Sequence, residues 1–450
     1  MVYSMYLARL SRLALLPVLL ASLGGAASAR TRQADSTTLQ VYFEGTAGAF
    51  AGQPPADRQI VADFVRDTGQ QAKAVPGQDP VKILASIESG SAPDLVMLGY
   101  VRPDWLQQGA VQPLDDYIKS SHLDLGKFTD AAWNQGYLNG HYYAMTSEQD
   151  TLALLYNKDL FRKAGLDPNK PPQTLSQLEQ YAKKLTVYNS DGSIKQLGLL
   201  PNSSANGGGA DYFQLWGNIF GGKWYDDAHK KITATDPRNV QGLTWLANFW
   251  KQYGPSKLDR LESGFGTYLS PNDPFAQGKI AMLIDGDWWP TDIPKGSKLN
   301  AGNLGGAYIP YPDGHPELAH TSGVFGDVML IPKGSKHPDL AWKFINWYMN
   351  SEREQLNLPA TLTGYPLLKS ALRKSLTGSF GSDPNVKYFE HVLLTVHGQP
   401  NPIVMPITAK YLKNLDFEAN RVMHGQEPPA DALARVQQIT QPALNQALQQ

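Results

Sequence analysis

The stretch Phe275–Trp289 reads FAQGKIAMLIDGDWW, and its reading sets the fold class. Phe275 to Gln277 has the character of a helix end, Gly278 of a tight turn, and Ile280 to Ile284 of a buried strand. The run then becomes polar and aromatic. Asp285, Asp287, Trp288 and Trp289 leave the carboxyl end of that strand together. In open α/β sheets ligands bind in that place. Carboxylates that accept from hydroxyls, set beside flat aromatic faces, suit a sugar-like ligand.

The flanking chain repeats the α/β pattern. Leu39 to Phe43 alternates as a first strand, and Gly45 and Gly48 give a flexible loop. Asp57 to Asp67 carries Ile60, Val61, Phe64 and Val65 at helical spacing, with Gly69 placed to stop it. Asp79-Pro80 is a cap and first-turn pair, followed by the stripe Val81, Leu84 and Ile87 and the stop Gly90. Asp94 to Leu98 is a short buried strand, which completes a strand–helix–helix–strand order and predicts parallel strands. Further on, Thr174 and Gln177 have capping-box spacing ahead of Leu175, Leu178, Tyr181, Ala182 and Leu185. Asn202 to Gly209 reads as a loop. Pro338 and Asp339 open a helix whose Leu340, Ala341, Phe344, Ile345 and Tyr348 line one face, and Ala432 to Leu448 is a terminal amphipathic helix.

Composition bounds the rest. The chain has 450 residues, 42% hydrophobic and 18% charged, which is a folded protein of more than one domain. Its formal charge of −1 argues against nucleic acid as the main partner. At the N-terminus Arg9 and Arg12 precede the apolar run Leu13 to Leu23 and the small-residue site Ala27-Ser28-Ala29. This is the pattern of a cleaved signal peptide over residues 1–29, too short to span a bilayer. Its removal takes two arginines and no acid, leaving a mature charge of −3. There is no cysteine, so thiol chemistry, disulfides and cysteine metal sites are excluded, as is a lipidated cysteine at the cleavage site.

Four more segments join the opening one to carry a family resemblance: Ala92–Leu98 (APDLVML), Tyr156–Gly165 (YNKDLFRKAG), Gly326–Met349 (GDVMLIPKGSKHPDLAWKFINWYM) and Gly364–Lys369 (GYPLLK). In this order they resemble the sugar-binding, maltose-binding-protein-like family of extracellular solute-binding proteins of ABC importers. The resemblance implies a two-lobed periplasmic-binding-protein-like α/β fold. Each lobe would be a mixed, mostly parallel sheet flanked by helices, with three crossovers joining the lobes and closure by hinge bending. Residues 36–147 with 280–331 are expected in lobe one, and 148–279 with 332–450 in lobe two. It also implies an ABC permease partner, no cofactor, and a monomer free in the periplasmic or envelope space.

A sugar cleft needs aromatic faces and planar polar groups. Glu44 follows the first strand, and Tyr100, Arg102 and Trp105 follow the second. Each has a plain alternative, as a solvated loop residue or a packing contact. Glu148, Gln149 and Asp150 stand at the first crossing, where the family places an acid against its ligand, and Asp150 is nearest that position. Asp211, Tyr212 and Trp216 follow the glycine-rich loop, where the family often has an aromatic; Tyr212 and Trp216 share a helix face. Asp285, Trp288 and Trp289 have the best case, one indole facing the cleft and the other packing. Gly326 and Asp327 resemble a small-residue crossing beside the ligand, and Tyr365 a position that reaches the cleft. Trp342, Phe344 and Trp347 read as core or helix-surface residues.

Rival classes are a secreted glycoside hydrolase using Asp285 and Asp287, the same fold holding a glycerol phosphate or a polyamine, and an envelope scaffolding module. The chain has no nucleophile-elbow, zinc-helix or P-loop motif, and its histidines lack ligand spacing.

Overall fold

The computed structural model describes residues 38–45, 54–99, 101–129, 135–201, 210–361, 364–377, 384–400 and 403–449. The signal segment, Gly48, Tyr100 and the 202–209 loop lie outside the described residues. Ten strands build two sheets: β1 (Thr38–Glu44), β2 (Gln71–Gln78), β3 (Leu95–Leu98), β4 (Ala144–Thr146), β5 (Asp150–Asn157), β6 (Met282–Gly286), β7 (Leu304–Ala307), β8 (Thr321–Phe325), β9 (Val328–Leu330) and β10 (His397–Pro400).

The first sheet has the order β2-β1-β3-β9-β4. β1 is parallel to β2 and β3, and β9 runs antiparallel to β3 and β4. The strand period of two divides its side chains between two cores. Leu39, Val41, Phe43, Leu95, Met97, Met145 and Met329 fill one face, against Ile60, Phe64 and Phe344. Val96, Leu98, Ala144, Val328 and Leu330 fill the other, against Ile83, Ile87 and Trp105. The helices Pro54–Thr68 and Pro338–Asn350 lie on the first face, where Phe64 meets Phe344 with centroids 4.9 Å apart.

The edge strand β2 is absent from the sequence reading, which passed from helix to helix. Its sequence QAKAVPGQ holds a proline and a glycine and buries no residue fully. An edge position tolerates the missing N–H of Pro76, which a central strand would not. The next helix, Pro80–Glu88, is capped as expected, with Val81 N donating to Asp79 Oδ1 at 2.8 Å. Its buried residues are Pro80, Ile83 and Ile87, while Val81 is 76% exposed, so the expected stripe is rotated by part of a turn.

The second sheet has the order β6-β5-β8-β10, with β7 beside β5 as well. β6, β7 and β8 all run antiparallel to β5, and β8 is parallel to β10. Both sheets are mixed, but the second is less parallel than expected, because β5 receives returning strands on both edges. This pairing divides the chain differently from the expected lobe boundaries. Residues 280–331 were assigned whole to lobe one, yet β6, β7 and β8 pair in the second sheet and only β9 lies in the first. Conversely, the helix Pro338–Asn350 was assigned to lobe two, yet its Ala341, Phe344, Ile345 and Tyr348 belong to the core of the first sheet.

The second core takes every residue from Leu152 to Tyr156 together with the helices Leu175–Leu185, Ala210–Ile219, Pro237–Tyr253, Thr408–Met423 and Pro429–Ala447. Thr174 caps its helix through Gln177 N, and Gln177 reaches back to Gln173 N at 2.8 Å, one residue earlier than the usual box. No helix among the described residues is long and apolar enough to cross a membrane.

Candidate functional site

The chain passes between the sheets at residues 147–149, between β4 and β5, and at 326–327, between β8 and β9. The two connections run side by side, with Ser147 N donating to the Asp327 carbonyl at 2.7 Å. A third segment joins them: Tyr365 and Gln149 exchange backbone hydrogen bonds of 3.0 and 3.1 Å, and Gln149 Nε2 donates to the Pro366 carbonyl at 2.7 Å. Register fixes which ends of the strands meet here. Val328 opposes both Leu98 and Thr146, so the crossings leave the first sheet at the carboxyl end of β3. Gly286 opposes Leu152 and Phe325 opposes Asp150, so the carboxyl end of β6 reaches the same place from the second sheet. This is the ligand position of an open α/β sheet, supplied twice.

On the first-sheet side Glu44 and Arg102 form an ion pair at 2.8 Å, half-buried, and Glu44 Oε2 accepts from Gly99 N at 3.1 Å. At the crossing Asp327 N donates to Glu148 Oε1 at 3.4 Å. Burial, and then the nearby Glu44 and Asp57, push the Asp327 carboxyl up to about 7. Glu148, Asp150 and Asp287 follow as a buried row. Their carboxyls lie close enough for each charge to oppose the next. Burial in the first place holds all three well above the usual carboxylate range, and Asp150 and Asp327 add to this at Glu148. Asp287 is anchored by Thr151 N, which donates to its Oδ2 at 3.0 Å. Glu148 Oε2, Asp150 Oδ1 and Asp287 Oδ1 find no donor among the described residues.

On the second-sheet side the two indoles separate. Trp289 is fully buried, donates to Asp285 Oδ2 at 3.1 Å, and meets Phe275 edge-on at 5.1 Å. Trp288 is half-buried, donates to Tyr268 Oη at 2.6 Å, and sets its ring 5.9 Å from Phe325 at 67°. Trp288, Tyr268 and Phe325 thus make a partly exposed aromatic wall beside the acid row.

Asp285 is fully buried and accepts from Tyr212 Oη, Tyr268 Oη, Trp289 Nε1 and Gly286 N. Burial pushes its carboxyl up to about 6. The structure therefore places Asp285 behind the wall, where it fixes the aromatic side chains instead of standing open. Trp216 is also behind it, stacked on Trp245 at 4.1 Å with its Nε1 on the Pro201 carbonyl, and Tyr365 is fully buried in the second core. Gly326 has the expected bare backbone, but what approaches it is the chain: a side-chain carbon there would collide with the Glu148 carbonyl. Asp211 lies in the helix Ala210–Ile219, and Tyr100 falls outside the described residues. Of the expected set, Glu44, Arg102, Asp150, Trp288, Gly326 and Asp327 come together at the junction. Tyr268 was missed, because its surroundings GTYLSPND carry no periodic signal.

The profile of the bacterial extracellular solute-binding protein family matches residues 51–354. A maltotriose-binding protein of Pyrococcus abyssi is 25% identical over 67% of this chain and 58% of its own length, so the chain spans less than two thirds of that relative. A maltodextrin-binding protein of Bacillus subtilis is 27% identical over 70% of this chain and 67% of its own. A solved protein with mannotriose bound superposes with a TM-score of 0.73 at 27% identity, covering 89% of this chain and 98% of the other. The fold is the two-lobed one of these proteins, and the chain belongs to the bacterial extracellular solute-binding protein family.

Proposed function

We propose that the protein captures a neutral sugar or short oligosaccharide between its lobes and passes the closed complex to an ABC permease, without chemistry on the ligand. The observation that carries this reading is the aromatic wall of Trp288, Tyr268 and Phe325 beside the row Glu148, Asp150, Asp287 and Asp327. Aromatic faces take the C–H surfaces of a sugar ring and carboxyl oxygens take its hydroxyl protons. The relatives named for maltotriose, maltodextrin and mannotriose support the same ligand class. An anionic ligand is disfavoured, since Arg102 is already paired with Glu44 and the remaining groups are acids. Strand pairing and core membership support two moving bodies, one built on the first sheet with the helix Pro338–Asn350 and one on the second sheet with the helices of its core. Ligand contacts made with both lobes favour the closed form, which is how binding shifts the population. The protein acts as a monomer, released by its signal segment into the envelope space; with no cysteine, it has no thioether lipid site.

The test is a thermal-shift panel on the mature chain holding maltotriose, mannotriose, glycerol 3-phosphate and spermidine, with chromatography of the same tubes. A ligand at ~100 times its dissociation constant adds about 2.7 kcal/mol. A saturable shift with a trisaccharide and no product is expected. A shift with the phosphate or the polyamine alone would overturn the ligand class, and released sugar would make the protein a hydrolase.

A further inference from the structure

We propose that the second lobe carries a second saccharide site, apart from the cleft, in the cavity between the helix Ala210–Ile219, the hairpin of Tyr225–Asp226 with Lys231–Ile232, and Ile403–Val404. The cavity has a volume of about 580 Å³, within the range of small-molecule pockets. Its position on the helix separates it from the cleft. At 100° per residue, Asn218 and Gln214 share one face, and Tyr212 with Trp216 lies nearly opposite. Tyr212 points to Asp285, whereas Gln214 accepts from Ile403 N at 3.2 Å and Asn218 lines the cavity.

Asn218 is the key residue. It is only 5% exposed and lines the cavity, and the Tyr225 hydroxyl on the same lining is buried without a hydrogen-bond partner among the described residues. A buried hydroxyl without a partner is costly, and the Asn218 amide offers a donor and an acceptor, so a ligand bearing both gains by entering. Trp224 and Tyr225 supply aromatic surface on the same wall. Trp224 is held by its Nε1 donating to the Gln214 carbonyl at 2.9 Å. Burial, and then Asp227 beside it, push the Tyr225 phenol up to about 12, so it remains a hydroxyl donor.

Charge narrows the ligand class. Asp226 is paired with His229 at 2.7 Å, Asp227 with Lys230 at 2.8 Å, and Asp236 with Arg238 at 2.6 Å. Each carboxylate of the cavity already has a basic partner, and Lys223 is the lining cation without an ion pair among the described residues, so the cavity carries no more than a single unpaired charge. Amide, phenol and indole around a cavity of mixed polar and apolar lining match the hydroxyls and C–H faces of a neutral saccharide. The choice of ligand class leans on the saccharide reading of the cleft; the location of the site does not.

The experiment is calorimetric titration of the mature full chain with maltotriose and with mannotriose, carried to millimolar sugar, for wild type, Trp288→Ala, Asn218→Leu and Tyr225→Phe. Two events are expected in wild type, the second weaker. Trp288→Ala should weaken the tight event alone. Asn218→Leu should weaken the second by about tenfold, the loss of a hydrogen-bonded buried amide, and leave the first unchanged. Tyr225→Phe removes one hydroxyl without changing the hairpin, and should act in the same direction if Asn218→Leu perturbs the helix. A single wild-type event, lost in Trp288→Ala, would overturn the second site and leave the cleft reading standing. A single event indifferent to Trp288→Ala and lost in Asn218→Leu would keep this site and overturn the cleft reading. A second event indifferent to both Asn218→Leu and Tyr225→Phe would overturn this site.

Discussion

At Gly286 the backbone has no space for a side chain, because the Trp288 ring lies against it. The glycine between two aspartates therefore lets the indole fold back over the end of its own strand and reach Tyr268. Gly286→Ala should displace that ring and weaken sugar binding, read by calorimetry, while wild-type affinity would mean that the ring does not contact ligand. Trp288→Ala should cost roughly 1–3 kcal/mol of binding and little stability. Trp289→Ala should do the reverse. It empties a fully buried site and strips a donor from Asp285, so a loss of about 3–5 kcal/mol in denaturant unfolding is expected. If both variants changed affinity alone, the division between wall and core would be wrong.

At the scale of elements, capping decides where helices begin and pairing decides which sheet a strand serves. The helix Pro80–Glu88 has Asp79 as its side-chain cap and proline in its first turn, so Asp79→Ala should lower stability by about 1 kcal/mol, measured by urea unfolding. An unchanged midpoint would show that the Pro80 turn holds without the cap. The strand β2 follows a different rule. Pro76 and Gly77 would break a central strand, but on an edge their missing donor and side chain cost little, and parallel pairing with β1 persists from Thr38↔Gln71 to Glu44↔Gln78, with an irregularity between Tyr42 and Glu44. In the second sheet, β6 is antiparallel to β5, and this brings Asp287 beside Thr151 although they are far apart in sequence.

For the whole molecule, the unusual property is the store of buried carboxyls. Burial holds Asp57 and Asp327 up to about 7, Glu262 to about 7 and Asp285 to about 6, and raises Glu148, Asp150 and Asp287 well above the usual carboxylate range. In each case the folded value lies above the unfolded one, so across this range the folded state binds more protons. Their contribution to stability is complete below about pH 4 and is lost as pH rises through 6 to 7 and beyond. The unliganded protein should therefore melt at a higher temperature at pH 5.5 than at pH 8. A flat or opposite profile would mean that the acids at the lobe junction are solvated and ionised, as in a cleft that stands open.

The amino-acid pattern alone determined the class of the molecule. Apolar runs at Leu39–Phe43, Asp94–Leu98 and Ile280–Ile284, alternating with capped amphipathic helices, dictate an α/β protein, because such runs have to be covered on both faces. The DGDWW segment likewise marked a strand end by its abrupt change from apolar to polar and aromatic. Part of the candidate site was legible for the same reason: Glu44, Arg102, Asp150 and Trp288 flank strand termini. Burial and partnership were not legible. Asp285 and Trp289 look as available as Asp287 and Trp288, since adjacent side chains differ only in which way the loop turns them. Tyr268 enters the wall from a loop without periodicity. Which lobe owns β6, β7 and β8 was decided only by strand pairing with β5, a long-range hydrogen-bonded match that no local spacing encodes.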